Sequence, residues 1–142
     1  MNIGEEQYKL TFDGGSRGNP GLCGIGYVIY KNNEIIYKNC SIVSTHNTNN
    51  FAEYSALIAG LKKAIELDIK NLLVYGDSQL IIKQLNGTYS VKSNNIKALY
   101  LNVVELKESF QHINFEHIYR DKNKLADSLA NQAMDNYKKR DL

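Results

Sequence analysis

Four acidic residues lie where the carboxylates of different segments can converge. Asp13 follows a short apolar run and precedes a glycine-rich stretch, while Glu53, Asp77 and Asp127 lie close to the starts of predicted helices. Four carboxylates brought together repel one another unless cations neutralise them, so their convergence would create a metal site. All-oxygen ligands select a hard ion such as Mg²⁺ or Mn²⁺. A cluster that holds two such ions a few ångströms apart suits in-line displacement at a phosphodiester.

The glycine-rich stretch and the histidines fit no competing motif. Glycines after Asp13 let another molecule approach the main chain closely. The stretch lacks the Gly-Lys-Ser/Thr ending of a P-loop and leads into a strand, so the nucleotide-binding motifs do not apply. The histidines lack a zinc spacing, and the sequence contains no Gly-x-Ser-x-Gly motif.

Helix capping is the alternative explanation for three of the four acids. Acidic residues are common at helix N-termini because they complement the helix dipole. Residues 50–53 (NFAE) form a possible capping box, and Asp77 is a possible N-cap. Asp13 has no such explanation, since a strand follows its glycine-rich stretch. The residues alone leave capping open for Glu53, Asp77 and Asp127.

The hydrophobic pattern predicts the elements that must position these acids. Alternation with period two indicates strands, and apolar spacings of three and four indicate helices. The predicted strands span 8–12, 23–30, 34–43, 72–75 and 113–119, and the predicted helices span 51–67, 78–85, 94–110 and 125–137. We expect an α/β fold with a five-stranded mixed sheet, antiparallel in strands one to three and then alternating with flanking helices. Right-handed crossovers would bring the ends of strands one and four together.

Composition bounds the class of protein. The chain has 142 residues, 43% of them apolar and 23% charged, which is typical of a globular domain. We expect one domain, 1–142, with its core at about 8–137. The net charge of +2 is too small to indicate nucleic-acid binding by itself, so any basic surface must be local. No apolar run approaches a membrane span, and Cys23 and Cys40 fit no disulfide framework. The cysteines favour a reducing compartment, so we expect a cytoplasmic protein without membrane contact. We also expect a monomer, although these features do not determine the oligomeric state.

Four segments in the expected order together resemble type 1 ribonuclease H. They are residues 12–21 (FDGGSRGNPG), 48–53 (TNNFAE), 75–79 (YGDSQ) and 120–127 (RDKNKLAD). The resemblance covers nearly the whole chain and implies the ribonuclease H fold. It implies an endonuclease that uses two Mg²⁺ ions, with Mn²⁺ as a possible substitute. Its substrate would be the RNA strand of an RNA/DNA hybrid, cut to leave 5′-phosphate and 3′-hydroxyl ends.

The resemblance also implies roles for the matching residues. Asp13 would bridge the two ions, and Glu53 and Asp77 would complete the ion near the leaving group. Asp127 would help to hold the ion that activates the attacking water. Contacts with the minor groove would come from Ser16, Gly18, Asn19, Asn49, Asn50 and Gln79. Such contacts suit a ribonuclease, because the 2′-hydroxyl is the group by which a protein distinguishes RNA from DNA.

Two features depart from the family pattern. Some bacterial members carry a basic, tryptophan-bearing protrusion, whereas residues 86–94 here are short and contain Lys92 as their basic residue. Affinity for the hybrid is therefore expected to be modest, or to be supplied by another chain or domain. Many members place a mobile histidine before the last aspartate. His117 has a comparable spacing but lies in phase with the apolar residues of a strand. Arg120 begins the following loop and resembles the arginine of shorter, archaeal-like members, so we favour Arg120 as the catalytic group.

Two other functions stay open at this point. One is a catalytically silent nucleic-acid-binding module of the same fold. Four retained acids argue against it, because a silent module has no reason to hold four like charges together. The other is a related nuclease that acts on another duplex or on a junction.

Overall fold

Five strands form one mixed sheet in the spatial order β3-β2-β1-β4-β5. The computed structural model describes the backbone of residues 6–140 and the side chains of residues 6–137; residues 1–5, 141 and 142 lie outside the described part. The strands are β1 (Tyr8–Arg17), β2 (Gly21–Lys31), β3 (Glu34–Asn47), β4 (Asn71–Gly76) and β5 (His112–His117). Antiparallel pairing joins β1, β2 and β3, and parallel pairing joins β1, β4 and β5. The predicted α/β class and mixed sheet are confirmed.

Within residues 6–140, four helices and a short 3₁₀ helix flank this sheet. They are α1 (Asn49–Glu66), α2 (Gln79–Leu85), α3 (Asn94–Lys107) and α4 (Lys124–Arg140), with the 3₁₀ helix at Arg120–Lys122. The Thr48 hydroxyl caps α1 by accepting from the Phe51 N–H at 3.1 Å, and the Ser78 hydroxyl caps α2 by accepting from the Ile81 N–H at 3.3 Å. Among the described residues, no helix combines the length and apolar character needed to cross a membrane.

The helices α1 and α4 cover opposite faces of the sheet. On one face, apolar residues of β1, β2 and β4 pack with α1 in the main core; they include Leu10, Phe12, Ile25, Ile29, Leu57, Leu61 and Val74. On β2 the residues that alternate with this apolar set face α4. A Cβ atom on Gly26 would lie 2.4 Å from the Ala126 carbonyl oxygen, and one on Gly24 would lie 2.6 Å from that of Ala130. These contacts require glycine, so α4 lies close against the sheet.

The strand β1 is longer than the sequence predicted. The pattern ended this strand at residue 12, before the glycine-rich stretch, whereas β1 continues to Arg17, opposite Leu22 of β2. The prediction was wrong because the antiparallel partner supplies hydrogen bonds that carry the strand past its apolar run. Parallel pairing with β4 nevertheless stops at Phe12 and Gly76. The parallel pairing of β1 with β4 therefore ends just before Asp13, and the two strand ends lie side by side, as the crossover argument predicted.

Other element ends also differ from their predicted positions. The strand β5 stops at His117 instead of residue 119, because its partner β4 ends opposite it at Gly76. The strand β3 continues past residue 43 to Asn47, which lies opposite Gly21 at the start of β2. The helix α3 ends at Lys107, three residues before the predicted end at 110. In the two strands, the partner strand sets the ends.

Candidate active site

Three of the predicted carboxylates converge at one edge of the sheet. Asp13, Glu53 and Asp77 each offer an oxygen atom, and these atoms lie within 4.8 Å of one another. Asp13 and Asp77 are brought together because each follows one member of the last β1–β4 pair, Phe12 and Gly76. Glu53 comes from the beginning of α1 on the main-core face.

A close contact between β1 and α1 fixes Glu53. The Gly14 N–H donates a hydrogen bond to Glu53 Oε1. A Cβ atom on Gly14 would lie 2.3 Å from the carbonyl group of Ala52, so a side chain there would displace the helix. Glu53 is 6% exposed, and its other oxygen, Oε2, is buried without a hydrogen-bond partner among the described residues. Since Thr48 caps α1, Glu53 is not part of a capping box.

Asn123 orients Asp77, and the sequence analysis missed it. Its Nδ2 group donates to the Phe12 carbonyl at 2.9 Å and to Asp77 Oδ2 at 3.0 Å. Both partners are acceptors, so the orientation of the amide is determined, and the side chain is only 2% exposed. Ser78 caps α2, which removes the capping explanation for Asp77. An asparagine just before a helix is typical of an ordinary cap, so its position gave no distinct signal.

Asp127 reaches the same place from the opposite face of the sheet. It lies at the start of α4, half-buried, and its carboxyl raises the pKa of Asp13. Asn131, one turn later, donates to the Asp127 carbonyl oxygen at 3.1 Å and to Asp127 Oδ1 at 3.4 Å. All four predicted acids line one cavity of about 400 Å³.

Burial and mutual repulsion of the carboxylates in this cluster favour the binding of a cation. Burial and then the neighbouring carboxylates, Glu53 first, raise the pKa of Asp13 well above its usual range. Burial raises the pKa of Glu53 to about 7, although hydrogen bonds from Asp13 and the Gly14 N–H oppose this rise. Without a cation, the cluster therefore retains protons at pH values where isolated carboxyls are charged. All-oxygen donors and the partnerless Oε2 atom of Glu53 fit a hard divalent ion.

Arg120 and His117 occupy different surroundings. Arg120 lines the cavity of the four acids, and its positive charge lowers the pKa of Glu53. His117 is half-buried, and its ring packs edge-to-face on Tyr119 with centroids 5.4 Å apart. Among the described residues that line the cavity, His117 is absent. The geometry agrees with the choice of Arg120, whose catalytic role stays a prediction.

Three of the predicted groove contacts, Ser16, Asn19 and Asn49, are joined by hydrogen bonds beside the cavity. The Ser16 N–H donates to Asn49 Oδ1 at 2.7 Å, and the Asn49 N–H donates to Asn19 Oδ1 at 3.0 Å. Asn49 and the adjacent Asn50 line the cavity. These bonds occupy the amide oxygens of Asn19 and Asn49, so their NH₂ groups are the parts that can face a ligand.

The other two predicted contacts lie at the ends of elements. Gly18 lies in the turn between β1 and β2 with φ of +119°, a conformation that favours glycine. Gln79 is the exposed first residue of α2, two residues after Asp77. Neither residue lines the cavity. A substrate longer than the cavity is needed to reach both of them and the acids together.

Comparison with known proteins shows the family. A family model described as reverse transcriptase-like matches residues 11–133. The N-terminal RNase H domain of a Mycobacterium tuberculosis protein is 36% identical with a TM-score of 0.90, covering 97% of this chain and 100% of that one. RNase H1 of Halobacterium salinarum is 35% identical with a TM-score of 0.88, covering 92% of this chain and 98% of that one. The chain belongs to the type 1 ribonuclease H family.

Another ribonuclease H has been solved with nucleic acid. The LC11-RNase H1 in complex with an RNA/DNA hybrid is 33% identical with a TM-score of 0.87, covering 92% of this chain and 99% of that one. The full Mycobacterium tuberculosis relative, a bifunctional protein, is 40% identical over 127 residues, which are 89% of this chain. The present chain spans only 35% of the length of that protein.

No extended protrusion follows α2 in the described part of the chain. Residues 86–93 connect α2 to α3 by turns and irregular structure, in agreement with the sequence. One basic–aromatic pair lies here that the sequence analysis missed. Lys83 Nζ is 3.4 Å from the Tyr89 hydroxyl and 4.9 Å from the centre of its ring, and Tyr89 is 47% exposed. The pair gives this surface a positive charge beside an aromatic ring.

Proposed function

We propose that this ribonuclease H hydrolyses the RNA strand of RNA/DNA hybrids with two divalent ions and leaves 5′-phosphate and 3′-hydroxyl ends. The observation that carries the proposal is the convergence of Asp13, Glu53 and Asp77, with oxygens within 4.8 Å, beside Asp127 in one cavity. Repulsion among so many carboxylates destabilises a protein unless a bound cation neutralises them. Family membership favours nucleic-acid hydrolysis as the use of that cation.

Asp13 would be the shared ligand of the two ions. The carboxyls of Glu53, Asp77 and Asp127 each raise the pKa of Asp13, so Asp13 interacts with acids from both faces of the sheet. Glu53 and Asp77 would complete one ion and Asp127 the other. When bound, Mg²⁺ or Mn²⁺ ions supply positive charge at the phosphate and lower the pKa of water.

Arg120 would bind the phosphate that is cleaved or the 5′-phosphate that departs. Its guanidinium group lines the cavity close enough to Glu53 to lower that carboxyl's pKa. A planar guanidinium donates charge-assisted hydrogen bonds to two phosphate oxygens at once. It stays protonated at working pH and therefore cannot serve as a general base.

Asn19 and Asn49, beside the cavity, would contact the minor groove without selecting a base sequence. The free NH₂ groups of Asn19 and Asn49 are donors, because protein N–H groups occupy their amide oxygens. All base pairs present acceptors in the minor groove, and a 2′-hydroxyl also accepts. Donors from Asn50 and Gln79 would extend this contact along the duplex. The hybrid bound to LC11-RNase H1 supports the choice of substrate.

Cleavage of a panel of labelled duplexes tests the function. RNA/DNA, RNA/RNA, DNA/DNA and a four-way junction are incubated with Mg²⁺, Mn²⁺ or EDTA, and the product ends are identified by their response to phosphatase and ligase. We expect cleavage of the RNA in the hybrid alone, with either ion but not with EDTA. Hybrid binding without cleavage in both ions would identify a silent module, and cleavage of another substrate would identify a related nuclease. The monomeric state and cytoplasmic location stay predictions.

A further inference from the structure

A chain of hydrogen bonds connects Asp127 to an ion pair outside the cavity. Asn131 donates from Nδ2 to the backbone carbonyl and the carboxylate of Asp127. Arg17 in turn donates from Nη2 to Asn131 Oδ1 at 3.2 Å and lies 3.5 Å from the Asn131 carbonyl oxygen. The other guanidinium nitrogen, Nη1, is 2.7 Å from Asp135 Oδ1. The chain therefore runs from the end of β1 to three successive turns of α4.

We propose that Asn131 is a positioning residue for Asp127, and that Arg17, held by Asp135, fixes the direction in which Asn131 donates. A guanidinium group has donors only, so the atom of Asn131 that meets it must be the amide oxygen. The NH₂ group must then face Asp127. A flipped amide would place two donors together and leave both carboxylate oxygens of Asp127 without this partner. The inference rests on the proposed function and concerns the assembly of its metal site.

Asp127 needs such support more than Glu53 does. Glu53 is buried and receives a backbone N–H, whereas Asp127 is half-buried on a helix surface and receives its hydrogen bonds from a side chain. A bond to one carboxylate oxygen restricts the rotation of the group and leaves the other oxygen for an ion. Groups that orient metal ligands in this way affect metal affinity or activity by about 10- to 100-fold when they are changed.

The proposal also explains what Arg17 does within the glycine-rich stretch. Arg17 lies between Ser16 and Gly18, both predicted substrate contacts, and an arginine there suggests a phosphate ligand. Its guanidinium group is instead engaged by Asn131 and Asp135, with 31% of the side chain exposed. Arg17 thus ties the turn that would read the substrate to the helix that carries Asp127.

The test separates the donor from the packing of Asn131. Asn131→Leu keeps most of the volume but neither donates to Asp127 nor accepts from Arg17, and Asn131→Ala removes the volume as well. We expect each variant to weaken Mn²⁺ binding to the nucleic-acid-free protein, measured by calorimetry, and to raise the Mg²⁺ concentration for half-maximal cleavage, by about tenfold. The KM for the hybrid should stay within about twofold, because groove contacts are retained. Wild-type Mn²⁺ affinity in either variant would overturn the proposal.

Arg17 is tested by the same measurements. Arg17→Met keeps the aliphatic stem and should raise the Mg²⁺ requirement by roughly threefold with an unchanged KM, less than a direct loss of the donor. Arg17→Lys should restore part of this loss. An increase in KM with an unchanged Mg²⁺ requirement would make Arg17 a phosphate contact and overturn the relay.

Gln132→Ala is the matched control, since Gln132 is the exposed neighbour of Asn131 on α4. It should leave Mn²⁺ binding and KM unchanged. An active wild-type enzyme with unaffected Asn131 variants refutes the relay and leaves the proposed function standing. A wild-type protein that neither binds Mn²⁺ nor cleaves the hybrid refutes both.

Discussion

Glu53 and Asp127 reach the same cavity from opposite faces of the sheet and are held there by different means. Glu53 is placed by packing, because α1 touches Gly14 and a backbone N–H binds Oε1. Asp127 is placed by side chains, through Asn131 on its own helix and Arg17 from β1. Glu53 is 6% exposed, whereas Asp127 is only half-buried.

Glu53 is coupled to the fold more strongly than Asp127. Core packing fixes the position of Glu53. Its buried carboxylate charge lowers the stability of the folded protein when no cation is bound. Side-chain hydrogen bonds at a half-exposed position affect stability little. We therefore expect changes around Glu53 to alter both stability and cleavage, and changes around Asp127 to alter mainly cleavage.

Asp13→Asn should give the largest loss, because Asp13 lies between the two parts of the site. The change is nearly isosteric but removes the charge and one anionic oxygen. A loss of several kcal/mol of transition-state stabilisation corresponds to roughly a thousandfold or more in turnover. Asp121→Asn, at an exposed acid of the 3₁₀ helix, is the control and should cleave normally. Measured kcat near the wild-type value in Asp13→Asn would contradict the two-ion site.

Gly14→Ala tests the packing that places Glu53. The new methyl group would meet the Ala52 carbonyl and push α1 away. Overpacking of this kind costs about 1–3 kcal/mol, so urea unfolding should show that loss together with reduced cleavage. Gly15→Ala is the matched control, since a Cβ atom there meets nothing within 4 Å, and its unfolding free energy should change by no more than about 0.5 kcal/mol. Equal stability of the two variants would remove the contrast with Asp127.

Arg120→Ala should lower turnover by roughly 10- to 100-fold, the scale of a lost charged contact worth ~1.5–3 kcal/mol. The shape of the pH–rate profile should stay the same, because a guanidinium group does not titrate in this range. His117→Ala is compared with it over pH 6 to 9 and should cleave nearly as well as wild type. Normal turnover in Arg120→Ala together with impaired His117→Ala would reverse the assignment.

The smallest effect is the pH dependence of stability in the metal-free protein. The folded-state pKa values of Asp13 and Glu53 lie above their unfolded values, because burial and neighbouring charges disfavour ionisation. The folded state then binds more protons than the unfolded state. The resulting contribution to the free energy of unfolding is fully present below the ordinary carboxyl pKa of about 4. It is lost as pH rises through the raised pKa values of the folded state.

Melting temperatures of wild type and Asp13→Asn in EDTA measure this effect between pH 5 and 8. The variant lacks the titrating group, so it should gain stability relative to wild type as pH rises. Saturating Mg²⁺ should stabilise wild type more than the variant, since the ion binds the folded state. A constant difference between the two proteins across this range would show that Asp13 is not destabilised by its neighbours.

The order of the elements and the edge of the sheet where the acids meet follow from local sequence patterns. Strand and helix periods are local signals, and right-handed crossovers follow from the twist of strands, so β1 and β4 could be predicted to adjoin at Asp13. The same reasoning made Glu53, Asp77 and Asp127 candidates because each begins a helix. It could not separate a metal ligand from a helix cap, since both use the same residue types at the same place.

The contacts that hold each acid could not be predicted from the sequence. The close approach of Gly14 to Ala52, the bonds of Asn123 to Phe12 and Asp77, and the chain from Arg17 through Asn131 join residues far apart in the sequence. Local patterns carry no information on such pairs, because a hydrogen-bond partner is defined by packing in space and not by spacing along the chain. The end of β1 at Arg17 has the same origin, since the partner strand and not the apolar pattern sets it.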